Sequence, residues 1–186
     1  MNKLLILSNA IKSFLEKIAH LSGWLLIVLM SITCLDIFGR KLGLPIPLTK
    51  FQELEWHLHT AIFSMWMGYN YTINAHPRVD SYTELLRYRT KAWIEFCGLL
   101  VLALPFMAVM VFYGWTFFWT SFLQGEGSEN VVGLDHRWII KGVFYLGLWF
   151  VLLGIISVLI RLVAFLFIGR SREESGLQIG HAELEA

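Results

Sequence analysis

His57-Leu-His59 is the closest histidine pair in the chain and the first place to look for metal chemistry. On a helix, side chains at i and i+2 diverge, so the pair is a poor shared metal site. Histidines on facing membrane helices offer different chemistry, as axial ligands of haem b or as contacts to a quinone. His20, His57, His59, His76 and His136 all fall near the ends of apolar blocks, and none lies well inside one. His20 and His76 share a side, which keeps a haem-b or quinone-binding anchor subunit of a respiratory enzyme as the alternative function. The chain carries no phosphate-binding loop, dinucleotide fingerprint, nucleophile elbow or HExxH motif. Cys34 and Cys97 lie in different apolar blocks and read as small hydrophobes. The expectation is a non-enzyme with no metal and no cofactor.

The charged residues suggest contact chemistry instead. Asp36 and Arg40 are one helical turn apart, a spacing that permits an ion pair. Glu53, Glu55, His57 and His59 open an apolar block, with Glu53 and His57 on one face and Glu55 and His59 on a neighbouring one. Charges at such a level face a partner, a watery cavity or the headgroups. The link Asn74-Ala-His76-Pro-Arg78-Val-Asp80 sits between two apolar blocks. Pro77 disfavours helix at His76, so the preceding helix stops there. Ser81-Tyr-Thr-Glu84 has the form of a capping box opening an amphipathic helix. As plain structure, that helix anchors a hairpin at the membrane surface; as function, it recognises a partner.

The elements that would carry these residues follow from composition. Of 186 residues, 56% are hydrophobic and 16% are charged, well below the usual quarter for a soluble domain. Mean hydropathy is +0.61, and the apolar residues come in long blocks. A membrane-crossing helix needs about 20 apolar residues. Four blocks qualify, at 19–38, 54–73, 93–123 and 138–168. Backbone in lipid must satisfy its own hydrogen bonds, so each is a helix. The last two exceed a perpendicular crossing and imply tilt or protrusion. Pro105 is a kink candidate in the third. The chain is therefore expected to be an all-α integral membrane protein with four transmembrane helices.

Positive residues mark the cytoplasmic side. Lys3, Lys12, Lys17, Arg78, Arg87, Arg89, Lys91, Arg161, Arg170 and Arg172 outnumber Arg40, Lys41, Lys50, Arg137 and Lys141 two to one. Both termini are thus expected to be cytoplasmic. Gly43–Pro47 reads as a short stiff turn on the far side, and 125–130 as an ordinary exposed acidic link. Leu4, Leu7, Ile11, Leu15 and Ile18 recur at helical spacing, giving an N-terminal amphipathic helix that either lies in the membrane plane or extends the first span. Residues 171–186 read as a polar, disordered tail after a single membrane domain over 1–170. A net charge of +1 gives no argument for nucleic acid; membrane lipid is the expected surroundings.

Three stretches together resemble the small membrane subunit of tripartite ATP-independent periplasmic (TRAP) transporters. They are Asp36-Ile-Phe-Gly-Arg40 with Gly43–Pro47 and Glu53-Leu-Glu55; His76-Pro-Arg78-Val-Asp80; and Ser128-Glu-Asn130 with His136–Lys141. The resemblance covers about Ser22 to Arg161, and its specificity lies in the order of the motifs. It implies a non-catalytic scaffold subunit in a bacterial inner membrane. Its partners would be a large multi-span permease subunit, which imports an organic acid with sodium by an elevator motion, and a periplasmic substrate-binding protein. Arg40, Glu53 and Glu55 outside, and His76, Arg78 and Asp80 inside, are then the candidates for subunit contact.

Overall fold

The apolar blocks fold as helices, and the described residues contain no strand. The computed structural model describes residues 3–75 and 86–179. Its helices are α1 (Lys3–Gly23), α2 (Leu25–Leu42), α3 (Leu48–Thr72), α4 (Tyr88–Gly98), α5 (Leu104–Leu123), α6 (Trp138–Leu166) and α7 (Arg172–Ser175). A π-helical turn, Leu99–Ala103, joins α4 to α5. The Ser81–Glu84 capping box, with His76, Arg78 and Asp80, lies outside the described residues.

Three helical stretches are long and apolar enough to cross a membrane: Lys3–Leu42, Tyr88–Leu123 and Trp138–Leu166. The expected span at 54–73 lies on α3, which is not among them. Its 25 residues include Lys50, Glu53, Glu55, His57, His59 and Asn70, which dilute its apolar character. The expected first span, 19–38, straddles the break between α1 and α2 at Trp24.

Local chemistry sets the breaks. Gly43 closes α2 in the left-handed region (φ +62°), with its N–H bonded to the Gly39 carbonyl. Pro45 and Pro47 stiffen the turn, which folds Ile46 and Leu48 back over Gly39; a Cβ there would sit 2.6 Å from Ile46 Cδ1. Pro105 has no N–H to give Val101, and the backbone answers with the π turn just before it.

α2, α3, α6 and α5 pack in that order, and α1 leans across α3 and α6. The α3–α6 seam is made of small residues. Gly147 lies on Ser64, Gly68 on the Phe150 backbone, and Gly154 on the Gly68 carbonyl and Tyr71. Rising numbers meet rising numbers, so α3 and α6 run parallel. Without water to drive association, helices in lipid gain by close packing, and small residues permit it. Toward α5 the contact is aromatic: Phe118 stacks on Tyr145 at 6.4 Å, and Phe122 meets Trp138 edge-on.

α1 has its own anchors. Trp66 Nε1 donates to the Ala19 carbonyl at 2.8 Å, Phe14 meets Phe150 edge-on, and Leu15 is fully buried. The N-terminal helix therefore packs on the other helices instead of standing alone. Of the tail expected from sequence at 171–186, residues 171–179 are described, and they fold back on the helices. Ser171 caps α7 through a reciprocal capping box with Glu174, and Leu177 and Ile179 are buried beside Ala92, Leu99, Leu162 and Leu166.

Candidate functional site

Two polar centres stand out, one at each end of the helices. At the end bearing the α2–α3 and α5–α6 turns, Glu53 occupies the second turn of α3 and is only 5% exposed. The segment 124–137 between α5 and α6 closes over it. Glu53 Oε1 accepts from the Ser128 hydroxyl and from Asn130 Nδ2 at 3.0 Å, and Oε2 accepts from the Leu134 N–H at 2.6 Å. Arg137 Nη2 lies 3.8 Å from Oε1.

The segment is built to present those donors. The Ser128 N–H bonds the Leu134 carbonyl at 3.0 Å, and the Arg137 N–H bonds the Glu126 carbonyl at 2.8 Å. Gly133 admits the closure, since a Cβ there would strike Ser128 and come within 2.7 Å of Glu53 Oε2. Glu126 pairs with Lys141 on α6, which holds its carboxyl below the ordinary range. Glu53, one residue outside the apolar stretch 54–73, is held at about 2 against an ordinary 4.5. The Leu134 N–H contributes most, then the Ser128 hydroxyl and the Asn130 amide; burial opposes them and Arg137 adds a smaller attraction.

The neighbouring polar residues divide by face. His57 Nδ1 lies 2.6 Å from the Glu53 carbonyl, and its ring sits on Trp56 at 3.9 Å. Arg40 is on the α2 side, with Nε donating to Asp36 Oδ2 at 2.8 Å and Nη2 reaching Gln52 at 3.4 Å. Glu55 acts on Arg40 through its charge, yet its Oε1 has no hydrogen-bond partner among the described residues. Of the six sequence candidates, Glu53 is enclosed within the chain, Arg40 and Glu55 lie along the α2–α3 edge, and the other three fall outside the described residues.

At the opposite end, Arg161 on α6 is a buried cation, 7% exposed. Nε donates to Ser8 Oγ at 2.9 Å, Nη2 to Asn9 Oδ1 at 2.8 Å, and Nη1 to the Gly176 carbonyl at 2.7 Å. Ser8 and Ser157 bond one another at 2.8 Å beside it. Sequence reasoning counted Arg161 only as an orientation charge. The signal was its place between Ile160 and Leu162, since a charge inside an apolar run faces the protein interior and a partner. The 125–130 segment was likewise more than an exposed link; its Ser and Asn are the donors a buried carboxylate needs.

Neither centre resembles a catalytic constellation. Among the described residues no group of three or more His, Cys, Asp or Glu could hold a metal ion, and both cysteines are exposed and free. The arrangement can fix segments and shape surfaces. The family model described as "Tripartite ATP-independent periplasmic transporters, DctQ component" matches residues 29–165. No curated protein and no solved structure gives a significant match.

Proposed function

Because the chain belongs to the DctQ component family of tripartite ATP-independent periplasmic transporters, we propose that it is the small membrane subunit that enlarges the static scaffold of a sodium-coupled importer of an organic acid. The family match over residues 29–165 carries this reading. A TRAP system joins such a subunit to a large permease and a periplasmic substrate-binding protein. In the proposed arrangement the chain sits in a bacterial inner membrane with four crossings, α3 providing the second, and with both termini in the cytoplasm.

The Glu53 centre then faces the periplasm and sets the shape of the α5–α6 segment, where the binding protein or the large subunit would meet it. Arg40 and Glu55 serve as polar anchors to the large subunit on the α2–α3 edge. The Glu55 oxygen, which has no partner among the described residues, supports that role, because an unpaired polar atom at a helix interface is costly and a paired one fixes orientation. His76, Arg78 and Asp80 are proposed as the matching anchors on the cytoplasmic side. Apolar side chains left open on α2 and α5, among them Met30, Phe38, Phe106 and Phe112, are available to the partner and to lipid.

The test is affinity purification of the large permease through a tag on this chain. Glu55→Ala and Arg78→Ala are expected to lower recovery of the two-subunit complex and organic-acid uptake. Full recovery and full uptake in both variants would remove the anchoring assignment.

A further inference from the structure

We propose that Arg161 is a two-ended latch, through which the first turns of the N-terminal helix and the segment after α6 order together. The inference concerns this chain alone and does not depend on the transporter reading. The guanidinium offers five N–H donors in a rigid fork. One edge of that fork holds α1, through Ser8 and Asn9; the other holds the Gly176 carbonyl, with the Ser175 carbonyl at 3.5 Å. No acidic partner for Arg161 is seen among the described residues, so its burial depends on all of these neutral acceptors being present.

The coupling follows from that dependence. When the segment after α6 withdraws, Nη1 loses its acceptors while the charge stays buried. A buried charge left short of hydrogen bonds is costly, and turning the side chain toward water relieves it. That turn also frees Asn9 and leaves Ser8 with Ser157 alone. The reverse order works in the same way. Gly176 shows how tightly the parts are fitted: its φ is +59°, and a Cβ there would strike Arg161 Nη1.

Both segments also have anchors of their own, which limit the reach of the latch. Tyr88 donates to the Leu177 carbonyl at 2.9 Å, and Arg172 lies over the Tyr88 ring at 4.4 Å. On α1, Leu15 and the Ala19–Trp66 bond lie beyond the latch. The coupling should therefore cover about the first three turns of α1 and residues 171–179, and stop there.

Amide hydrogen exchange on the full chain in lipid nanodiscs tests this with variants on either side. Ser8→Ala with Asn9→Ala leaves Arg161 and residues 171–179 untouched, and should speed exchange at 175–177 by about tenfold, the scale of one charged hydrogen bond. Gly176→Ala should speed exchange in the first turns of α1 by a similar factor while leaving the Ala19 region unchanged. Exchange that rises only in the mutated segment overturns the latch, because each end would then be held by its own contacts. A rise that extends equally to Leu134 also overturns it, because the effect would be global.

Discussion

The two polar centres solve the same problem with opposite materials. Glu53 is a buried anion met by a cation, a hydroxyl, an amide and a backbone N–H, all from one segment, Ser128 to Arg137, that begins 75 residues further along the chain. Arg161 is a buried cation met only by neutral oxygens, drawn from both ends of the described chain. A carboxylate accepts from many directions at once, so a single segment can wrap it. A guanidinium donates outward in a plane, so it suits a junction of separate elements. The first centre shapes one segment; the second gathers two.

That difference sets the size of each response. The largest is expected at Glu53. Glu53→Ala leaves Ser128, Asn130, the Leu134 N–H and the Arg137 cation without their shared acceptor, and breaking a buried charged centre costs about 3–5 kcal/mol. Thermal unfolding in detergent should show the loss. The α3–α6 seam lies between the centres and should weaken both together. Gly68→Ala drives a Cβ into the Phe150 backbone, and overpacking of that kind costs about 1–3 kcal/mol. Exchange at Leu134 and at Gly176 should rise in parallel in this variant, whereas Glu53→Ala should affect Leu134 alone.

A smaller effect is expected for Arg161→Met. The variant removes the charge along with its bonds. Ser8 keeps Ser157, and Asn9 and the Gly176 carbonyl are near enough to the surface to find water. Replacing a buried charge by an apolar side chain of similar length is frequently close to neutral, so a loss of about 1 kcal/mol or less is expected in the same melts. The gentlest probe is pH. Because the folded Glu53 carboxyl is depressed to about 2 from 4.5, its stabilisation is complete above 4.5 and is lost as pH falls from there toward 2. Leu134 exchange, corrected for its intrinsic pH dependence, should show that acid weakening in the native chain but not in Glu53→Gln.

Much of the helical layout was legible because it depends on local composition. The apolar block at 138–168 becomes α6, Trp138–Leu166; the block ending at 123 ends with α5; and Pro105 marks the irregular turn between α4 and α5. The Asp36–Arg40 pair was legible because one helical turn separates the two residues. What could not be read depends on distant chain. Glu53 read as a residue for subunit contact or the headgroups, because its partners within the chain begin only at Ser128. Ser64, Gly68, Gly147 and Gly154 have the spacing of a packing face, but spacing does not say which helix lies opposite. Residues 171–179 are polar enough to suggest disorder. Only the fold shows that Leu177 and Ile179 find a core and that Gly176 finds Arg161.

Glu53 is committed within the chain to shaping the α5–α6 segment. The decisive measurement is the exchange rate of the Leu134 amide in the native chain and in Glu53→Gln. A slow amide is expected in the native chain, exchanging at least about tenfold faster in the variant, on the scale of a hydrogen bond that loses its charged acceptor, with the Ser8 and Gly176 regions unchanged. Equal rates at Leu134 in both proteins would contradict it.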